Sequence, residues 1–193
     1  MVSPFAQRTS LAIAASQHFA TMQAMGAFKY DEPPLLAPGR HFMTLSALER
    51  ICVLPFAAPE MRRRLFQQLC IFVKCFDAAG IRCEMLINGS FLTSKPDPKD
   101  VDVAIILDPD VTELLTVEQE LLVDAVNDDM NIFIDGVDGF VETVFPIGHS
   151  SFRADGNEML WSEQYGRQHD GAWLKGVAVL RLGETDVGLR IRR

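Results

Sequence analysis

The stretch Leu86-Ile-Asn-Gly-Ser-Phe-Leu-Thr-Ser-Lys-Pro-Asp-Pro-Lys-Asp-Val-Asp-Val-Ala-Ile-Ile-Leu107 decides how the rest of the chain is interpreted. It predicts a strand, a tight turn at Gly89-Ser90, a polar loop and a second strand with two carboxylates, Asp100 and Asp102. Side chains alternate across a strand, so residues two apart share one face. We therefore expect both carboxylates to point the same way, while the apolar residues that alternate with them, Val101, Val103 and Ile105, enter the core.

This pair of carboxylates indicates a cation site. Two neighbouring negative charges on an apolar strand are costly unless a cation or a proton offsets them. Oxygen ligands suit Mg²⁺ or Mn²⁺, which proteins often hold with one or two carboxylates and the phosphates of a substrate. The turn supplies the other half of such a site, because Gly89 lets a phosphate approach the backbone and the Ser90 hydroxyl and nearby N–H groups can hydrogen-bond it.

The spacing of these residues resembles a known signature. Gly89-Ser90, nine intervening residues and Asp100-Val101-Asp102-Val103 are similar to the signature of the polymerase-β-like nucleotidyltransferase superfamily. A wider similarity, over roughly residues 35–182, is to a family of uncharacterised bacterial nucleotidyltransferase-like proteins; it includes the segments 35–41, 62–65, 146–149 and 161–176. The resemblance implies an α+β (mixed α/β) fold, in which helices pack on a nucleotidyltransferase-like mixed β-sheet.

The resemblance also implies a reaction. A nucleoside monophosphate would move from a nucleoside triphosphate, such as ATP, to a hydroxyl of a small molecule or a protein, and pyrophosphate would be released. Asp100, Asp102 and a third acid on a neighbouring strand would hold the metal ions as the catalytic centre. Gly89 and Ser90 would hold the departing phosphates.

Two acids are candidates for the third carboxylate. Asp138 and Glu142 are four residues apart in a segment, 131–145, that predicts a strand or a strand pair, so they share a face if the strand is unbroken. Asp138 is slightly favoured, because it begins the strand as in the resembling family. Asp135 is less favoured, because Asp135-Gly136 is typical of a turn.

Several basic residues are candidates for phosphate contacts. Lys95 lies in the polar loop and Lys175 precedes the last predicted strand, at a Lys-Gly position that matches the resembling family. Each has a plain alternative as a solvated lysine. The run Arg62-Arg63-Arg64 at the start of a predicted helix is either a solvated surface cluster or a patch that faces the triphosphate. His149, in a predicted turn, is either a proton donor or a structural residue.

The predicted elements divide the chain into two parts. Residues 1–34 are expected to be an N-terminal helical extension, with a helix over 9–27 that stops before Pro33-Pro34, and residues 35–193 the nucleotidyltransferase-like domain. Within the domain, a capping box at Ser46–Glu49 predicts a short helix, apolar spacing predicts a helix over 60–79, and a second capping box at Thr116–Gln119 predicts a helix to about Asn127.

Composition restricts the partners and the compartment. The net charge of −8 and the pI near 5.0 disfavour long nucleic acids, whose phosphates prefer basic surfaces. We expect a small-molecule or protein acceptor, and either a partner protein or a homodimer. The four cysteines lack the spacing of a zinc site and are expected to be free thiols in a reducing cytoplasm. No stretch of sequence is long enough to span a bilayer.

Two other functions remain open from sequence. One is an antitoxin-like or scaffold protein that uses the nucleotidyltransferase fold to bind a partner, as in a toxin–antitoxin pair, with weak or no catalysis, because a fold does not determine a function. The other is a metal-dependent phosphohydrolase in which water replaces the acceptor. Nucleotide binding, pyrophosphate release and product analysis would distinguish the three.

Overall fold

The computed structural model of the chain describes residues 32–127, 134–146, 148–152 and 175–183. The chain divides into two compact units, Met1–Tyr30 and Asp31–Arg193. The helix expected over residues 9–27 lies outside the described residues, so the helical extension stays a prediction. Within the part of the chain that is described, no helix is both long and apolar enough to cross a membrane.

A single mixed sheet forms the centre of the second unit. Its strand order is β1-β5-β2-β3-β4. The central strand β2 runs antiparallel to both of its neighbours, whereas β1 pairs with β5 and β4 pairs with β3 in parallel. The strands are β1 (Gly39–Phe42), β2 (Cys83–Asn88), β3 (Val101–Leu107), β4 (Val137–Thr143) and β5 (Gly176–Leu182). The expected α+β class with a mixed sheet and packed helices is confirmed.

Four helices accompany the sheet in the described residues: α1 (Leu45–Cys52), α2 (Glu60–Ala78), α3 (Pro109–Thr112) and α4 (Val117–Asn127). Helix α1 begins earlier than the Ser46 capping box predicts, because the Thr44 side chain accepts the N–H of Ala47 and caps it. The second capping box is confirmed. The Gln119 side chain accepts the Thr116 N–H at 2.8 Å, and the Thr116 hydroxyl accepts the Gln119 N–H at 3.4 Å.

The two faces of the sheet have different neighbours. On one face, Val101, Val103 and Ile105 of β3 are fully buried, as expected, in a core shared with α2 and α1. The opposite face has a smaller apolar cluster: Leu86, Ala104, Ile106, Val177 and Val179. Because side chains alternate, Asp102 shares this second face with Ala104 and Ile106.

A buried ionic cluster joins three strands on the second face. Glu84 of β2 is fully buried and accepts from Arg181 of β5 at 2.8 Å and from Arg40 of β1. The Arg181 guanidinium also lies 4.3 Å from the centre of the Phe42 ring. A buried carboxylate that pairs with cations from two other strands ties the three strands together, because loss of both arginines would leave its charge buried without compensation.

Candidate functional site

The register of the sheet aligns three polar residues on the second face. Asp102 of β3 is paired with Asn88 of the antiparallel strand β2 and with Asp138 of the parallel strand β4. Neighbouring strands lie about 4.8 Å apart, so paired residues project from adjacent positions. Asp102 is partly buried and Asp138 is exposed. Two carboxylates therefore lie side by side, with one of them open to solvent.

Gly89 brings the predicted turn against Asp102. Its backbone has φ 74° and ψ −161°, a conformation that L side chains rarely adopt. A Cβ atom at this position would overlap the Asp102 carboxylate, lying 2.7 Å from its Cγ. Ser90 follows as the first residue of a short 3₁₀ turn, Ser90–Leu92, and is partly buried. The turn and the carboxylate, which are separate in sequence, are thus in immediate contact.

The remaining acids occupy different positions. Asp100 lies one residue before β3 begins and is partly buried. Glu142 is paired with Ile106, so it lies about 13 Å further along β4 than Asp138, at about 3.3 Å per residue. Of the two candidates for a third acid, the register brings Asp138 to Asp102 and leaves Glu142 apart. Their roles in a site stay predictions.

A divalent cation requires several oxygen ligands close together. No three His, Cys, Asp or Glu side chains form a group that could hold a metal ion among the residues described. A cation bridged to a substrate requires less, because two carboxylates suffice when phosphate oxygens complete its ligands. Asp102 and Asp138 meet that smaller requirement by their paired positions, and the Gly89 backbone lies directly against the Asp102 carboxylate.

The two candidate lysines lie near the same end of the sheet. Lys175 immediately precedes β5, is 7% exposed, and has the same parity along the strand as Val177, which places it on the second face with Asp102. Lys95 is partly buried in the loop after the 3₁₀ turn, where its N–H donates to the Thr93 hydroxyl at 3.3 Å.

Arg62 has a role that the sequence analysis missed. Its side chain is fully buried rather than solvated, and its guanidinium lies 3.6 Å from the centre of the Phe56 ring. Burial lowers the pKa of Arg62, and the nearby Cys52 and Asp97 side chains oppose that effect. It donates four hydrogen bonds of 2.6–2.8 Å to the backbone carbonyls of Cys52, Phe91, Thr93 and Lys95.

Arg62 therefore fixes the loop that follows the Gly89-Ser90 turn. Its neighbours Arg63 and Arg64 are exposed, and Arg64 forms an ion pair with Asp135 in the turn before β4. The expectation of a solvated cluster is thus wrong for Arg62 alone. Its spacing was the available signal, because Arg62 precedes Leu65, Phe66 and Leu69 in phase with the apolar stripe of α2.

A second segment holds the same loop from the other side. The Leu35 N–H donates to Leu92 O at 2.9 Å, and the Ser94 N–H donates to Pro33 O at 2.8 Å. Further along, the Gly176 N–H donates to Leu36 O at 3.3 Å. Residues 33–36 thereby connect the loop to the beginning of β5.

His149 is held as a structural residue of its turn. One ring nitrogen, Nε2, lies 3.1 Å from the Glu113 carboxylate, and the other, Nδ1, accepts the Ser151 N–H at 3.1 Å. The ring stacks on Phe145 with centroids 4.6 Å apart. These contacts account for both ring nitrogens, one at Ser151 within the turn and one at Glu113, which lies between α3 and α4.

The chain belongs to a family of unknown function, DUF6932, whose sequence profile matches residues 28–181. That range contains the turn, both paired aspartates, Arg62 and both candidate lysines. A search of curated proteins and a search of solved structures each gave no match.

Proposed function

We propose that this protein is a divalent-metal-dependent nucleotidyltransferase. It transfers a nucleoside monophosphate from a nucleoside triphosphate to a hydroxyl of a small molecule or a protein. The observation that carries the proposal is the contact of the Gly89 backbone with the Asp102 carboxylate, beside the paired Asp138. A phosphate chain needs a close backbone approach on one side and carboxylate-bound cations on the other, and this arrangement supports both.

Each residue has a proposed part in the reaction. Asp102 and Asp138, with Asp100 just before β3, would hold Mg²⁺ or Mn²⁺, which would supply positive charge to the phosphate oxygens. Gly89 and Ser90 bind the β- and γ-phosphates through backbone N–H groups and the Ser90 hydroxyl. These contacts position the α-phosphorus for attack, which is the main contribution a protein makes to phosphoryl chemistry.

The bond changes are those of an in-line displacement. The acceptor oxygen forms a bond to the α-phosphorus, the bond from that phosphorus to the bridging oxygen breaks, and pyrophosphate leaves. The proton of the acceptor hydroxyl passes to Asp138 or Asp102. Lys175 and Lys95 contribute positive charge at the same end of the sheet, which helps to hold the departing pyrophosphate.

The acidic composition of the chain supports a small-molecule or protein acceptor over a long nucleic acid. All four cysteines are free thiols, which supports the expectation of a reducing cytoplasm. We also propose that the protein assembles with a partner, which is either another protein or a second copy of this chain.

The test combines binding with product formation. We expect one of ATP, GTP, CTP or UTP, with Mg²⁺, to raise the melting temperature of the wild-type protein, because a ligand stabilises the state that binds it. We also expect pyrophosphate release, reduced by about 10²-fold or more in Asp102→Asn and in Asp138→Asn.

Glu142→Gln is the matched control, because it removes an acid from the same face of the same strand at a distance from Asp102. It should retain most of the activity. If no triphosphate shifts the melting temperature or releases pyrophosphate, the proposal fails. If the assay yields free nucleoside monophosphate and no modified acceptor, the reaction is hydrolysis and not transfer.

A further inference from the structure

Helix α4 exposes apolar side chains on the side that faces away from the core. Its inner face is accounted for, because Val126 is buried and Leu122 and Val123 pack against the core cluster. Leu114 is 78%, Val117 67% and Leu121 64% exposed, the three largest values for large apolar side chains in the described residues. Val117 and Leu121 therefore leave apolar surface on the outer face of α4 that the described residues do not cover.

Two of these residues are neighbours on α4, and the third lies shortly before it in the chain. Val117 and Leu121 are one turn apart on α4, where residues four positions apart are neighbours, and Leu114 precedes the helix by three positions. We refer to Leu114, Val117 and Leu121 as the α4 stripe. An exposed apolar patch on a protein surface commonly marks a site of protein association.

The segment that carries the α4 stripe is acidic. Glu113, Glu118, Glu120 and Asp124 are all exposed, and residues 100–152 contain no lysine or arginine. No ion pair involves Glu118, Glu120 or Asp124 where the chain is described; Glu113 contacts only the ring of His149 among the ion pairs found there. Hydrogen bonds from its own backbone N–H and from the Thr116 hydroxyl lower the pKa of Glu118, so they favour the charged form of this carboxylate.

Charge determines which partner fits this surface. Nucleic acids and the cytoplasmic face of a membrane are anionic, so the acidic rim would repel both. A protein segment with apolar anchors and flanking lysines or arginines would match both the apolar stripe and the acidic residues around it. A helix repeats its anchors every three or four residues, which matches the one-turn spacing of Val117 and Leu121.

We propose that the α4 stripe is a docking surface for a basic amphipathic helix of a partner protein. The apolar anchors of that helix cover Leu114, Val117 and Leu121, and its cationic side chains pair with the four carboxylates of the rim. The surface is separate from the Asp102 and Asp138 pair and does not depend on nucleotidyl transfer.

The experiment uses the full chain and a defined probe. The probe is a fluorescent leucine–lysine peptide of about 18 residues, long enough to form a helix, with leucines spaced on one face. Fluorescence polarisation should report saturable binding that weakens as salt rises from about 0.1 to about 0.5 M. A peptide with glutamates in place of the lysines and the same leucines should not bind.

Two variants locate the binding. Val117→Ser with Leu121→Ser should weaken binding by about tenfold or more, because truncating an apolar anchor at an interface commonly costs over about 1 kcal/mol. Ile71→Ser is the matched control, because Ile71 is an exposed apolar residue on α2. It should change the affinity by less than about twofold. Thermal melts confirm that both proteins fold, and Leu114→Ser replaces the double variant if that variant does not fold.

Three results of the binding experiment would overturn the proposal. These are failure of the lysine peptide to bind, binding of the lysine peptide to the double variant as tightly as to the wild type, and binding of the glutamate peptide as tightly as the lysine peptide. Light scattering tests a different occupant. If the wild type is a dimer and Val117→Ser with Leu121→Ser is a monomer, the α4 stripe is covered by a second copy of this chain and the proposed partner helix is excluded.

Discussion

Gly89 occupies the closest approach between the turn and a carboxylate. Two separate requirements meet at this residue, because its φ of 74° disfavours any side chain and the Asp102 carboxylate fills the space where a Cβ would lie. The first requirement concerns the backbone of Gly89 itself, and the second concerns its neighbour across the site. A second glycine in the chain, Gly80, has a similar φ without the contact and serves as a comparison.

We predict that Gly89→Ala destabilises the protein more than Gly80→Ala. Gly80 has a nearly identical φ of 68°, but no atom lies within 4 Å of the position of its Cβ. Gly80→Ala should cost about 1–2 kcal/mol from backbone strain, and Gly89→Ala should cost about 1–3 kcal/mol more, because its ψ of −161° is rarely adopted by L residues and its Cβ would collide with Asp102. Urea unfolding measures both. Equal costs would mean that Asp102 moves away freely and that the contact is not fixed.

At the level of elements, Arg62 joins helix α2 to the loop after the turn. A helix that packs on a sheet ordinarily contributes apolar side chains to the core, and α2 does so along its length. Its first turn instead inserts a guanidinium between the end of α1 and the carbonyls of residues 91–95. The conformation of that loop is therefore set by a helix that is distant in sequence.

We predict a large difference between two adjacent arginines. Arg62→Met should destabilise the protein by about 3–5 kcal/mol, because it removes the donor shared by four carbonyls, three of them in the loop. Arg63→Met changes an exposed side chain and should stay within about 0.5 kcal/mol of the wild type. Urea unfolding gives the two values. Hydrogen exchange at residues 91–95 should rise in Arg62→Met, and unchanged protection there would contradict the role in fixing the loop.

Sequence predicts an element well when the residues that determine it lie close together in the chain. Helix α2 and strands β2 and β3 follow from apolar spacing within one segment, and the turn with Asp102 follows from residues close together in sequence. Strand β1 is not predicted from sequence, because its four residues show no apolar alternation that would indicate a strand. Its partner is β5, more than a hundred residues away.

The third acid illustrates the same limit within the candidate site. Asp138 and Glu142 have the same parity, so alternation alone cannot separate them. The choice depends on the register of β4 against β3, which is set by long-range packing and by the turn at Gly136. The burial of Arg62 could have been inferred from its phase with the apolar stripe, but a run of three arginines concealed it.

For the molecule as a whole, two buried cysteines reduce the stability of the folded protein at alkaline pH. Burial raises the pKa of Cys52 and that of Cys83 from 9.0 to about 12; Arg62 partly opposes the rise at Cys52, and Glu84 adds to it at Cys83. Both thiols stay protonated in the folded protein over a range in which they ionise in the unfolded chain. Their contribution to stability is complete below about pH 9 and is lost as the pH rises toward about 12.

We predict that the free energy of unfolding falls between about pH 9 and about pH 12, toward a limiting slope of about 1.4 kcal/mol per pH unit for each thiol. The slope should be smaller in Cys52→Ala and in Cys83→Ala, even though each variant begins from a lower stability because of the cavity. Urea midpoints measured across this range test the prediction. Cys75→Ala, at a partly exposed position, serves as the control, and an equal change of slope in it would contradict the assignment.

The bonds made by residues 33–36 determine where the chain can be shortened. A deletion that ends before Pro33 keeps all three backbone hydrogen bonds from this segment to Leu92, Ser94 and Gly176. A deletion extended through Leu36 breaks all three, and the turn beside Asp102 then loses its support on one side. Loss of activity in a shortened protein would therefore inform about residues 1–32 only if that protein still contained Pro33 and the residues after it.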